Sequence, residues 1–126
     1  MEMKALFDTN ILIDYLAGVK QSHKEIKRYS TGYISSISWI EVLVGVDSIE
    51  EERVVRSFLS RFSLVPLSEE IAEAAVQNRR LYRLKVPDAI ILASAQTLGA
   101  LLITRNTKDF EVDNPGVRVP YKLKAT

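Results

Sequence analysis

Short apolar runs alternate with longer helical patterns along the whole chain, and this alternation constrains the fold more than any other feature. Lys4-Ala5-Leu6-Phe7 reads as a strand that stops at Asp8, and Gly32-Tyr33-Ile34-Ser35 reads as a second. Leu64-Val65-Pro66 is a very short third strand, Ala100 to Thr104 a fourth, and Val117 to Pro120 a possible edge strand. Helical patterns fill the intervals: Asn10–Ala17 closed by Gly18, Ser22–Tyr29, Ser38–Val46, Glu50–Arg61, Ser68–Tyr82, and Pro87–Leu98 broken by Gly99. A strand, a helix and a further strand close into a parallel βαβ unit. Repetition of that unit predicts a three-layer α/β/α sandwich around a parallel sheet of four to five strands.

With 126 residues and neither repeat nor linker, residues 1–126 read as a single domain. A hydrophobic share of 47% is enough for a real core. The longest apolar run, Ala89 to Ala95, falls well below the roughly 18 residues of a membrane helix. The apolar stretch beside Lys4 ends at Asp8, which speaks against a signal peptide. The absence of cysteine removes disulfides and thiolate zinc sites, so a cytoplasmic protein with no membrane contact is expected.

The net charge of +1 gives the whole molecule no preference for nucleic acid. Two basic flanks stand out: Arg79, Arg80, Arg83 and Lys85, and a tail with Arg118, Lys122 and Lys124. They are either solvated surface or phosphate contacts, and the sequence weighs the two about evenly. The one histidine, His23, lies in a polar stretch and reads as exposed. It leaves no paired-histidine ribonuclease chemistry and only one candidate for a Ser-His-Asp triad. Strong chemistry in this chain therefore falls to carboxylates.

Ligand sites of open parallel sheets form beyond the carboxyl ends of the strands. Asp8 follows strand one directly, and Glu41 lies one turn into the helix after strand two. The helix opened by Pro87 and Asp88 is joined to strand four by little more than Gly99, so its N-terminus points to the same edge. Asn106 and Asp109 follow strand four. Taken singly, each acid has a local explanation. Asp8 would cap the next helix, and Ser38 with Glu41 fits a capping box. Asp88 and Asp109 suit first helical turns, the latter behind an Asn106 cap. None of these explanations requires all the acids to share one rim. Glu41 and Asp88 also sit in strongly apolar contexts, where a carboxylate is costly unless paired or metal-bound. A carboxylate rim without histidine or cysteine selects a hard cation, Mg2+ or Mn2+, and suits phosphodiester hydrolysis.

Four segments occur in order: Asp8-Thr9-Asn10-Ile11-Leu12-Ile13-Asp14, Ile40-Glu41-Val42-Leu43-Val44-Gly45, Pro87-Asp88-Ala89-Ile90-Ile91-Leu92-Ala93-Ser94-Ala95 and Thr104-Arg105-Asn106-Thr107-Lys108-Asp109-Phe110. Together they make the chain resemble PIN-domain ribonucleases, and most closely the VapC-type toxins of prokaryotic toxin–antitoxin pairs. The resemblance implies Mg2+- or Mn2+-dependent RNA cleavage, a homodimer, and a VapB-like antitoxin that covers the active-site groove and inserts a basic side chain. It carries metal-binding roles over to Asp8, Glu41 and Asp88. The fourth acidic position of many relatives is Asn106 here, so either Asp109 supplies that carboxylate or Asn106 holds a metal-bound water. Thr9, Asn10 and Thr104 are expected in support, and Asp14 is expected to be supporting or exposed. The non-enzymatic rival is a PIN domain that binds RNA or protein without cutting. Phosphatases and receiver domains with a phosphorylated aspartate fit poorly: Asn10 stands where a second acid is needed, and Lys108 is the lone nearby lysine.

Overall fold

The computed structural model describes residues 3–111 and 113–123. The described residues form β1 (Ala5–Phe7), α1 (Thr9–Leu16), α2 (Lys20–Lys27), β2 (Gly32–Ser35), α3 (Ser36–Leu43) and α4 (Ile49–Leu59). They continue with β3 (Ser63–Val65), α5 (Glu69–Tyr82), α6 (Val86–Leu98), β4 (Leu101–Ile103) and β5 (Val117–Arg118). The strands make one five-stranded sheet in the order β3-β2-β1-β4-β5, and every neighbouring pair is parallel.

Side chains alternate across the sheet and so divide the core in two. Leu6 and Leu102 face α5 and α6, where Ile71, Ala75, Leu92 and Phe110 pack on them. Ala5, Phe7 and Ile103 face the other way, onto Ile11, Leu12, Ile26, Phe58 and Leu59. The result is the expected α/β/α sandwich. Phe58 is a core residue, 6% exposed. A close approach fixes the middle of the sheet: a Cβ on Gly32 would stand 2.9 Å from ring carbons of both Phe7 and Phe62.

The caps explain where the helices begin. Asp8, Ser35, Ser48 and Ser68 each cap a helix, their side-chain oxygens accepting first-turn amides. The third helix thus starts two residues before the expected Ser38, because Ser35 accepts from the Ile37 N–H at 3.0 Å. The Ser38–Glu41 capping box does not form, and Glu41 is freed for other contacts. Gly99 closes α6 in the left-handed region at φ +66°, and the Ala100 N–H returns to the Ala95 carbonyl at 2.8 Å. That tight reversal sends α6 antiparallel to β4 and puts its N-terminus at the carboxyl edge of the sheet.

From β1 the chain moves outward to β2 and β3, then crosses by α5 and α6 to β4 on the other side of β1. The strand order therefore reverses between β1 and β4. Such a switch point opens a crevice beyond the strand ends, and Asp8 and Thr104 stand at its two lips.

Candidate active site

Asp8 is both the cap of α1 and the most buried acid of the rim, 4% exposed. Its backbone N–H donates to the Ile103 carbonyl at 2.9 Å, which locks the end of β1 to the end of β4. Its carboxylate accepts from the Thr9 N–H at 2.8 Å, the Thr104 hydroxyl at 2.7 Å and the Asn10 amide at 3.3 Å. Thr104, fully buried, also accepts from the Asn106 N–H at 3.0 Å. The carboxylate is thus held in one orientation by three donors. Burial pushes its pKa up, helped by the Glu41 charge, and the three hydrogen bonds only partly offset this.

Glu41 lies on the exposed side of α3, contrary to its apolar sequence context. The Thr9 hydroxyl donates to its carboxylate at 2.7 Å and stands 2.8 Å from the Ser38 hydroxyl. Asp88, in the first turn of α6, is half-buried. Burial, and then the charges of Asp8, Asp109 and Glu41, push its pKa up to about 6, with Lys85 opposing. Asp109 is half-buried in the turn after β4. The Asn106 amide donates to the Asp109 carboxylate at 2.9 Å, and the Asp109 N–H donates back to the Asn106 side-chain oxygen at 3.1 Å. Asn106 is thereby engaged in holding Asp109.

Asp88 therefore lies within reach of the charges of Asp8, Asp109 and Glu41, and Asp8 within reach of that of Glu41. Among the described residues no ion pair engages any of these four acids; those present are Arg28–Glu25, Arg56–Glu52, Arg105–Asp14 and Arg118–Glu25. Nor do three acids among the described residues close into a finished metal cage. The oxygen-only donor set and the raised Asp88 fit a hard cation that keeps most of its waters and takes few protein ligands. Such an ion needs a negative rim more than a cage.

The partners of Thr9 and Asp14 were not visible in the sequence, and Asp14, expected to be supporting or exposed, is buried. Ser38 reaches Thr9, and Asp14 is 6% exposed. Arg105 donates twice to Asp14, at 2.5 and 3.0 Å, and the Tyr121 hydroxyl adds a third bond at 2.7 Å. The only local signal was the apolar character around Asp14, which makes a lone buried acid improbable. Arg118 does not present a free basic tail: it makes a two-fold bond to Glu25 at 2.7 and 3.1 Å. Arg79 donates to the Leu84 carbonyl at 2.7 Å, and Lys124 lies outside the described residues. His23 is half-buried rather than exposed, stacked 3.7 Å from the Tyr15 ring, with Nε2 3.1 Å from the Tyr15 carbonyl.

The chain matches the PIN domain family over residues 5–113. It is 33% identical over 121 residues to Ribonuclease VapC1 of Rickettsia felis, covering 86% of this chain and 90% of that one. It is 32% identical to Ribonuclease VapC of Rickettsia bellii, covering 86% of this chain and 90% of that one. A chain in a toxin-antitoxin complex from Klebsiella pneumoniae superposes with a TM-score of 0.89 at 47% identity, covering 94% of this chain and 99% of that one. The fold, the carboxylate rim at the switch point and these likenesses agree: the chain belongs to the PIN-domain family, within its VapC group.

Proposed function

We propose that the chain is a VapC-type ribonuclease toxin that hydrolyses RNA phosphodiester bonds at the rim of Asp8, Glu41, Asp88 and Asp109, with Mg2+ or Mn2+. The observation that carries this reading is the convergence of carboxylates from four chain segments at the β1–β4 switch point, with no ion pair to them among the described residues. A divalent ion bound there would lower the pKa of a bound water and offset charge on the phosphate.

The side chains divide the remaining work. Asp8 is fixed at the end of β1 by Thr9, Asn10 and Thr104. Glu41, exposed and steadied by Thr9, faces the open side from which RNA arrives. With its pKa pushed up to about 6, Asp88 exchanges between protonated and ionised forms near neutral pH. In the hydrolysis itself the water oxygen bonds to phosphorus as the bond to the leaving ribose oxygen breaks. The water's proton passes to solvent or a rim carboxylate, and the leaving oxygen takes up a proton.

A partner surface adjoins the rim. Ile13, Leu16, Val42, Val46 and Val54 line a groove of about 430 Å³ between α1, α3 and α4, with Glu41 at its edge. The groove suits the apolar face of an antitoxin segment, with a basic side chain reaching Glu41. A cytoplasmic site of action follows from the RNA substrate, and no helix among the described residues is long and apolar enough to cross a membrane.

The test is incubation of purified protein with total cellular RNA, with Mg2+ or Mn2+, with EDTA, and with Asp8→Asn. Fragments that appear only with metal and wild-type protein are the expected result. No fragments from folded, antitoxin-free protein would overturn the nuclease reading in favour of a binding-only PIN domain.

A further inference from the structure

Two constellations in the molecule have the same chemistry: a buried acid, an arginine bound to it through two nitrogens, and a tyrosine hydroxyl. One is Glu25 with Arg118 and Tyr29, the hydroxyl 2.9 Å from the carboxylate. It ties the edge strand β5 to α2; the Arg118 carbonyl accepts from the Thr104 N–H at 3.0 Å, a β4–β5 ladder bond that the sheet holds without the Arg118 side chain. The other is Asp14 with Arg105 and Tyr121, and it continues. Arg105 directly follows Thr104, and its backbone N–H donates to the Asn10 side-chain oxygen at 3.1 Å. With that oxygen committed, the Asn10 amide nitrogen has to face the opposite way. It lies 3.3 Å from Asp8 Oδ2 and 3.3 Å from the Thr104 hydroxyl.

We propose that Asp14, Arg105 and Tyr121 form a positioning unit that sets the orientation of the Asp8 carboxylate through Asn10; the proposal rests on the nuclease reading of the rim. The physical reason is that an asparagine amide has two nearly isosteric orientations. Only one of them offers donors to Asp8. The flipped one would set its carbonyl against the Asp8 carboxylate. The Arg105 N–H selects between them, and it can do so only while its position is fixed. The planar guanidinium, engaged at two nitrogens by an acid that is 6% exposed, fixes it. Tyr121 occupies a further lone pair of Asp14 and so brings the C-terminal segment into the same unit. None of these three residues touches the reacting atoms.

The test compares Arg105→Lys with Arg118→Lys. Both keep the positive charge and lose the two-nitrogen bond, so both should lower the melting temperature similarly. Mn2+ affinity of each protein is measured without RNA, alongside the Asn10 side-chain amide signals in 15N NMR spectra. Arg105→Lys should weaken Mn2+ binding about tenfold, as loss of a partner behind a metal ligand commonly does, and should shift the Asn10 signals. Tyr121→Phe should move both readouts the same way by less, and Arg118→Lys should leave both unchanged. Equal stability losses with unchanged Mn2+ affinity and unchanged Asn10 signals in Arg105→Lys would overturn the proposal. If wild-type protein does not bind Mn2+ at all, the nuclease reading fails, and the Asn10 signals still decide the positioning unit.

Discussion

Asp88 carries a charge where its surroundings oppose one. Burial and the carboxylates of Asp8, Asp109 and Glu41 raise its pKa from 3.8 to about 6. The sign for stability follows directly: the folded state holds this proton more tightly than the unfolded chain. Ionised Asp88 therefore destabilises the metal-free protein above pH 6, and the penalty is relieved as pH falls from about 6 toward 3.8. Glu25 acts oppositely. Burial pushes its pKa up, but bonds from Arg118 and Tyr29 and the charges of Arg118 and Arg28 outweigh that and hold it below 4.5. Its contribution is present above that value and is lost as pH falls further. Metal-free protein should accordingly melt higher at pH 5 than at pH 7, then lose stability in stronger acid. Asp88→Asn should stabilise the metal-free protein at pH 7 by about 1 kcal/mol, a figure discounted because the group is only half-buried. It should also abolish the stabilisation that Mg2+ gives wild type. Thermal melts with EDTA and with Mg2+ check both statements.

At the scale of elements, the placement of the rim was legible in the sequence and its wiring was not. Asp8 and Asp88 each stand at a helix start marked by local signals, a strand end in one case and Pro87 in the other, so topology alone set them on one edge. Glu41 was placed on the correct edge for a partly mistaken reason. Ser35, not Ser38, caps α3, and the two-residue shift leaves Glu41 in solvent instead of an apolar setting. Partners far apart in sequence could not be read in advance. Arg105 is 91 residues from Asp14, and Tyr121 is 107 from it. Only the closed sheet brings them together. Two expectations belong here. Gly32→Ala should destabilise by about 1–3 kcal/mol, because its Cβ would overlap Phe7 and Phe62 in a sheet that cannot spread; urea unfolding measures this. Val54→Asp, on a residue 64% exposed in the α1–α3–α4 groove, should weaken antitoxin binding at least tenfold. RNA cleavage by the free variant should stay at the wild-type rate, since Val54 lies outside the acidic rim.

At the scale of the molecule, α5 is electrically polarised. It opens with Glu69, Glu70 and Glu73 and closes with Arg79 and Arg80. Between and beside them, Leu67, Val76 and Val86 are exposed, at 49%, 42% and 59%, along an apolar patch shared with α6. Across a two-fold axis α5 would pack antiparallel on its copy, each acidic end meeting a basic end and Val76 meeting Val76. The face borders the acidic rim, since Val86 and Asp88 share the first turn of α6. Val76→Asp should shift sedimentation from dimer to monomer without unfolding the chain, and an unchanged sedimentation profile would remove this face as the interface.

The reading of the rim as a single metal-dependent centre is tested most directly by single-turnover RNA cleavage at saturating Mn2+. The proteins to compare are wild type, Asp8→Asn, Asp88→Asn and the double variant. Groups that act as one unit lose function together. Each single variant should therefore fall by about a hundredfold or more, and the double variant should be scarcely slower than either. Cleavage by Asp8→Asn at the wild-type rate, or losses that simply multiply in the double variant, would contradict a shared centre.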